Sequence, residues 1–286
     1  MRSSLECIPC FISQGLSVAR LATDDPRDQE QILREVLFRA SRADLSLMPA
    51  RFSNEMHQMI RRFAGKDDPY LGIKRRSNQL AMELLPGWRA RLKNLDRPHE
   101  AALKAVIAAN VIDFGVKGDL TAEQIPAALK SSFCGPLIGD VDGFFKAAER
   151  ATNILFLADN AGEIVFDRLL IEMLPHGKIT VVVKGGPAIN DALMEDAETA
   201  GLKNLADVIE TGTDGAGIVL ENCSPEFQRC FARADMVIAK GQANFESLDG
   251  CNRPVYFLFK VKCAVVARHI GRPVGSLMLH HYVPAV

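Results

Sequence analysis

No apolar run in this 286-residue chain approaches the roughly 18 residues that a bilayer-spanning helix needs. Basic residues never cluster beyond Arg61-Arg62 and Lys74-Arg75-Arg76, and 34 Lys and Arg stand against 35 Asp and Glu, for a net charge of −1. A nucleic-acid surface is normally written as a basic stripe, so that class is excluded. Internal repeats and low-complexity segments are also missing. No apolar signal core surrounds Glu6, and seven cysteines, an odd number, do not make a disulfide framework. The expectation is a cytoplasmic protein with neither a membrane nor a nucleic-acid partner; no motif assigns an oligomeric state. What is present, 48% hydrophobic and 24% charged residues, is the composition of a globular enzyme.

Strands are absent from the first part of the chain. Helical spacing predicts helices over 8–22, 26–41, 48–64 and 70–84, the last stopping at Pro86-Gly87. An alanine-rich helix follows over 98–113, and Thr121-x-x-Gln124 opens another, to 130, with a capping-box pattern. From residue 150 the pattern alternates. Short β-branched or apolar strands are predicted at 153–158, 178–183, 207–210, 236–239 and 255–259, with helices at 163–174, 191–200 and 224–232 between them. Alternation of this kind means a parallel sheet covered on both faces. The fold class expected is α/β: a helical N-terminal part (1–130), then a Rossmann-like three-layer α/β/α domain (131–286) with a mainly parallel sheet.

The most informative segment is Ile154-Leu-Phe-Leu-Ala-Asp159-Asn160-Ala-Gly162-Glu163. An apolar strand ends abruptly in a carboxylate and an amide, Gly162 allows a turn, and Glu163 starts a helix. Open α/β sheets bind ligands at this carboxyl edge. Asp159 and Asn160 offer hard oxygen donors suited to Mg, Mn, Co or Ni ions, and a helix start offers N–H groups to phosphate. Two further strand ends carry polar loops, Lys184-Gly-Gly-Pro-Ala-Ile-Asn190-Asp191 and Lys240-Gly-Gln-Ala-Asn244-Phe-Glu246. In a parallel sheet all three loops lie on one edge. Taken alone, these residues indicate a metal and phosphate site on an α/β sheet.

Their order along the chain is similar to that of the damage-control phosphatase family, long filed as domain of unknown function eighty-nine. Asp159-Asn-Ala-Gly-Glu163 with Phe166-Asp167 carries most of the resemblance. Asn190-Asp191, Lys240 to Glu246 and Lys262-Cys263 extend it, with Cys7-Ile-Pro-Cys10, Lys74 to Asn78 and Ala108-Ala-Asn110-Val-Ile-Asp113-Phe114 upstream. The Cys-x-x-Cys resembles the prokaryotic branch; Ala109 stands where the pattern has Gly. The resemblance implies a metal-dependent phosphatase that hydrolyses small phosphorylated metabolites, sugar phosphates or damaged phospho-metabolites. Attack on phosphorus would be metal-activated, with water or Asp159 as nucleophile. It also implies that Asp159, Asn160 and Asp191 hold a divalent metal and that Lys240 faces the phosphate. Lys74, Asn78, Asn110, Asp113, Glu163, Asn244, Glu246 and Lys262 are the candidate substrate contacts.

Each candidate has a plainer reading. Asn190-Asp191 is also helix-cap chemistry. Lys240 and Glu246 are spaced to pair on a surface, and Asn110 and Asp113 to link helix to sheet. Lys262, among Phe259, Val261, Cys263 and Val265, either snorkels or points into the site. Asp167, one turn after Glu163, suits a supporting role. Cys7 and Cys10 alone do not complete a zinc site, and His280-His281 read as tail residues. Two other functions compete: an S-adenosylmethionine-dependent methyltransferase, which would use the Gly212–Gly217 loop, and a non-catalytic metabolite-binding protein.

Overall fold

The computed structural model describes residues 1–112, 123–175 and 177–284. Helices α1 (Cys7–Ala22), α2 (Pro26–Ala40), α3 (Pro49–Ala64), α4 (Leu71–Lys93), α5 (Pro98–Ala108) and α6 (Ile125–Cys134) come first. Then follow β1 (Leu137–Ile138), α7 (Val141–Arg150), β2 (Ile154–Leu157), α8 (Glu163–Ile171), β3 (Ile179–Val183), α9 (Met194–Thr199) and β4 (Asp207–Glu210). The chain closes with α10 (Pro225–Arg233), β5 (Met236–Lys240), α11 (Gln242–Leu248), β6 (Val255–Lys260), α12 (Ala264–Ile270) and β7 (Leu277–Tyr282).

Several elements differ from the sequence expectation. Helix α4 does not stop at Pro86-Gly87 but continues to Lys93. Ala81, Leu85, Trp88 and Leu92 are buried at helical spacing, and burial of that stripe outweighs the one hydrogen bond that proline removes. Pro86 lies on the exposed face, where water can reach the carbonyl left over. The helix expected from Asp191 starts only at Met194, because Asp191 pairs as a β-bridge with Asn160. Two strands and three helices escaped the sequence reading: β1 is only two residues long, α7 precedes the first strand that was recognised, α11 and α12 are only seven residues each, and His280 and His281, read as tail residues, lie in β7. Thr121 and Asp113 fall outside the described residues.

The sheet runs β1-β7-β6-β5-β2-β3-β4. Strands β2 to β6 are parallel; β7 is antiparallel to β6, with β1 parallel to β7. Side chains alternate between faces with the period of two that a pleated strand imposes. Ile154 and Phe156 of β2, with Val181 of β3 and Ile238 of β5, pack on one core with α4 to α8. Leu155 and Leu157, with Val182 and Val237, pack on the other with Phe227 of α10, Phe245 of α11 and Val266 of α12. The result is the three-layer α/β fold expected. Helices α4 to α6 belong to the first core, so that core runs across residue 130. Helices α1 to α3 bury a separate cluster around Val18, Ile32, Val36, Met56 and Ile60. The sheet's two edges are the two-residue β1 and β4, whose end residues Asp207 and Glu210 are exposed.

One feature of this topology positions the site. Strands β2, β3 and β4 proceed outward in one direction; β5 and β6 proceed in the other. The order reverses between β2 and β5, and a crevice opens there beyond the strands' carboxyl ends. That crevice receives Asp159 from β2 and Lys240-Gly241 from β5.

The stripe that carries α4 past Pro86 is directly testable. Leu85→Ala should cost about 2–5 kcal/mol of stability through lost burial and a residual cavity. Urea unfolding followed by the fluorescence of Trp88, the only tryptophan, measures it; an unchanged midpoint would show that the second half of α4 is not held by that stripe.

Candidate active site

Asp159 is placed by its neighbours rather than by its own rotamer alone. Its backbone carbonyl accepts from Ala192 N–H at 2.8 Å, and Ala161 N–H donates to the carbonyl of Asn190 at 2.9 Å. These bonds tie the end of β2 to the loop after β3 and set Asp191 beside Asn160. On the other side the chain leaves β5 through Gly241, with φ +80°. A Cβ built there would overlap the Asp159 carboxylate. Glycine is therefore required twice at this position, for the backbone angle and for the close approach. Gly162, at φ +77°, is in turn pressed against Ser77 of α4, and its N–H donates to Asn78 Oδ1 at 2.7 Å.

The loop that carries Asp191 is strained. Ile189 holds φ at 50°, a left-handed angle unfavourable for a β-branched residue. Its side chain packs on the α1–α3 cluster, and Arg61 of α3 donates to the carbonyl of Pro187. Arg61 also pairs with Asp214, Gln58 Nε2 donates to Asp214 Oδ1 at 2.9 Å, and Asn54 Oδ1 accepts from Ala216 N–H at 2.7 Å. One polar face of α3 therefore grips the loop from Thr211 to Gly217. The glycines that suggested S-adenosylmethionine binding instead allow close packing: a Cβ at Gly215 would meet Asn54 at 2.5 Å.

The carboxylates are linked by amides. Asn160 Nδ2 donates to Asp159 Oδ2 at 2.8 Å and to Glu163 Oε2 at 3.1 Å. Asn110 Nδ2 reaches the same two oxygens at 3.2 and 2.6 Å. Both amides thus engage Asp159 Oδ2, and the Asp159 side chain also lines the cavity. Because the nitrogen of Asn160 faces carboxylates, its carbonyl oxygen turns the other way, available as a donor. Beneath them Lys240, fully buried, donates to Glu163 Oε1 at 2.8 Å, to Val106 O at 3.1 Å and to Asp167. Those three acceptors use all three hydrogens of its ammonium group. Asn244 Nδ2 ties the carbonyls of Ala158 and Lys240 together at 3.1 and 2.8 Å. Lys184 lies 3.4 Å from Asp191 Oδ2 and donates to Gly217 O at 2.5 Å.

Electrostatics shows what this cluster lacks. Burial holds the Asp159 carboxyl well above the ordinary range, and the charges of Glu163 and Asp191 raise it further, against Lys262 and Lys240. Burial lifts Asp167 to about 7, opposed by Lys240. Burial alone would lower the Lys240 ammonium; Asp167 and Glu163 override that and hold its proton more firmly than usual. Four buried carboxyl groups (Asp159, Glu163, Asp167, Asp191) outnumber the two buried lysines (Lys184, Lys240), and Lys262 adds one ammonium from the cavity wall. That donor set, hard oxygens short of positive charge, fits a divalent cation. Among the described residues no three His, Cys, Asp or Glu side chains close into a ready-made metal cage; the amide oxygen of Asn160 is the third protein donor available.

Asp159, Asn160, Asn190 and Asp191 form one wall of a cavity of about 320 Å³. Glu246 and Lys262 line it too, and burial raises the Glu246 carboxyl against Gln242 and Lys262. The opposite wall comes from the helical part: Cys7, Cys10, Phe11, Gln14 and Ser17 of α1, then Ala50 and Ser53 of α3 and Tyr70. The structure thus brings together Asp159, Asn160, Asp191, Glu163, Asn110, Lys240 and Asn244, with Glu246 and Lys262 at the cavity. Lys240 pairs with Glu163 and Asp167 rather than with Glu246. Lys74 is not brought in; it is buried in a 2.6 Å ion pair with Asp68. Asn78 holds Gly162 and donates to Asp196 Oδ1 at 2.6 Å. The helical wall went unread in the sequence, although positions 7, 10, 11, 14 and 17 form a stripe at helical spacing.

Residues 3–278 match the damage-control phosphatase ARMT1-like domain. The chain is 36% identical to a damage-control phosphatase of Pyrococcus horikoshii, over 97% of each chain. It is 33% identical to a damage-control phosphatase of Archaeoglobus fulgidus, over 97% of this chain and 98% of that one. An uncharacterized protein of Methanocaldococcus jannaschii is 36% identical over 96% and 93%. The crystal structure of a DUF89 family protein from P. horikoshii superposes with a TM-score of 0.88, covering 98% of both chains at 33% identity. Match, identity and shared architecture agree, and the chain belongs to the damage-control phosphatase ARMT1-like family.

Proposed function

We propose that this chain is a phosphatase that hydrolyses small phosphorylated metabolites with the help of one divalent cation, Mg, Mn, Co or Ni. One observation carries the reading: Asp159, Asn160 and Asp191 converge at the switch point of the sheet, in a buried cluster with more carboxylates than ammonium groups. Asp159 and Asp191 would hold the cation through carboxylate oxygens, and Asn160 through its amide oxygen. When bound, the cation supplies Lewis-acid stabilisation of the charge that develops on a phosphoryl group.

The chain's own residues do the remainder. Asn110 and Asn160 fix the Asp159 carboxyl by bonding its Oδ2 from two sides, so its plane is held constant. Lys240 donates to Glu163 and Asp167 and holds both carboxyl groups in place; with its hydrogens engaged below them, its proposed part is to hold the site's shape. Lys262, on the cavity wall, is the ammonium proposed to meet the phosphoryl oxygens. The cavity walled by α1 and α3 excludes bulk water and takes the leaving group. A volume near 320 Å³ suits a metabolite and not a protein substrate.

The test is a panel of phosphorylated sugars and cofactors assayed across the four metals, with and without chelator. Hydrolysis should vanish with chelator and return with added metal; a panel silent with every metal would overturn the reading. Asp159→Ala and Asp191→Ala should each lower turnover by about a thousandfold or more, as expected when several kcal/mol of Lewis-acid stabilisation are lost. Near-normal turnover in either variant removes that residue from the mechanism.

Gly241 gives a sharper test of geometry. Gly241→Ala should abolish activity almost as completely as loss of Asp159. Gly250→Ala is the control: its φ is +85°, but nothing lies within 4 Å of the added Cβ. It pays only the backbone penalty, and its turnover should be normal. Equal activity in the two variants would mean that the close approach to Asp159 is unimportant.

The two lysines should separate by readout. Lys240→Ala leaves Glu163 and Asp167 buried without their cation and should cost about 3–5 kcal/mol in urea unfolding. Lys262→Ala should leave stability unchanged and weaken inhibition by inorganic phosphate. The reverse pattern would exchange their roles.

A further inference from the structure

Three of the seven cysteines, Cys7, Cys10 and Cys263, line the same cavity as Asp159 and Asp191, and hydrolysis of a phosphate ester gives none of them a task. Cys7 and Cys10 stand on the first turn of α1, three residues apart and therefore on one face. Cys10 is exposed to the cavity mouth and Cys7 is buried behind it. Each sulfur has hydrogen-bond donors. Ser4 N–H donates to Cys7 Sγ at 3.4 Å, with the Ser4 hydroxyl 3.8 Å away, and Gln14 Nε2 donates to Cys10 Sγ at 3.7 Å. Pro9, between them, lacks an N–H, but in the first helical turn that group has no intrahelical partner to lose. The turn is anchored outside the pair by Glu6, which accepts from Arg268 of α12.

We propose that Cys7 and Cys10 are a thiol–disulfide exchange site in the wall of the active-site cavity, with small disulfides as reactants. The exposed Cys10 sulfur, as thiolate, attacks one sulfur of the incoming disulfide. Its S–S bond breaks, the first thiol leaves with a proton, and Cys10 is left in a mixed disulfide. Cys7, one turn away, then attacks the Cys10 sulfur and expels the second thiol. Two electrons pass from the protein thiols to the external disulfide, and two small thiols are released. The donors at each sulfur stabilise the charge it carries while attacking or leaving. Helix neighbours three apart have Cβ atoms about 5–6 Å apart, and a disulfide needs about 3.8 Å. Closure therefore asks for a small tightening of the terminal turn only. Cys263 lies in the same cavity but on α12's N-terminal side, where Gln242 Nε2 reaches its sulfur at 3.7 Å.

The experiment uses the full chain and oxidised glutathione, and does not depend on the phosphatase reading. Cleavage after Arg2 and Arg20 releases one peptide that contains Cys7 and Cys10 and no other cysteine. After treatment that peptide should lose two hydrogens, and alkylatable thiols should fall from seven to five, restored by dithiothreitol. Cys7→Ser should halt the reaction at a stable glutathione adduct on Cys10; Cys10→Ser should give neither adduct nor loss in this peptide. A bond between Cys10 and Cys263, an intact dithiol peptide, or persistent adducts in the unsubstituted chain would each overturn the assignment. Native far-UV circular dichroism of both variants keeps a folding defect from imitating these results.

Discussion

The contact between the Asp159 carboxylate and the backbone of Gly241 is the constraint around which the active site is arranged. Two parallel strands that diverge at their ends, β2 and β5, leave a crevice, and a carboxylate is packed into it against main chain. A carboxylate so enclosed is costly to keep charged, and every neighbour answers that cost. Asn110 and Asn160 supply amide hydrogens, Lys240 supplies a buried cation one layer below, and Asn244 locks the two strand ends together. Glu163 and Asp191 work against this, since they add negative charge. Each has a buried ammonium beside it, Lys240 at Glu163 and Lys184 at Asp191.

The helical part is joined to that site through polar contacts more than apolar ones. The α1–α3 cluster is separate from the sheet's two cores. Its connection to the strand-end loops runs through Asn54, Gln58 and Arg61, at intervals of four and three residues on α3. These side chains meet backbone groups and Asp214, and they help to keep Ile189 in its left-handed angle. The same helices that roof the cavity therefore also steady the loop bearing Asp191.

The strand ends were legible in the sequence because turn chemistry is local. An apolar run that stops at Asp-Asn before a glycine has few readings, and Asp159, Asn160 and Asp191 lie together where the alternating pattern puts them. Tertiary effects were not legible. Pro86 reads as a stop, but burial of Leu85, Trp88 and Leu92 carries α4 past it. The direction of Lys240 depends on Glu163 and Asp167, one helical turn apart on α8, and Lys74 was drawn off by Asp68. Strand β7 was missed because its polar pair, His280 and His281, breaks the apolar pattern; the pairing with β6 that orders it lies some 20 residues away. The cavity-lining stripe of α1 resembles any amphipathic helix until the fold shows what it faces.

The sheet's borders bear on how this protein meets other molecules. A parallel sheet exposes unpaired main-chain groups at its last strands, and those groups are a template for another chain's strand. Here one border is two residues long, and it is followed by Gly139, where an added Cβ would collide with the backbone of Leu279. The other border carries carboxylates at both of its ends. Neither offers enough uniform ladder for strand addition. Strand addition is thereby disfavoured at both borders, and the register that sets the active-site loops is not open to competition from another chain's strand.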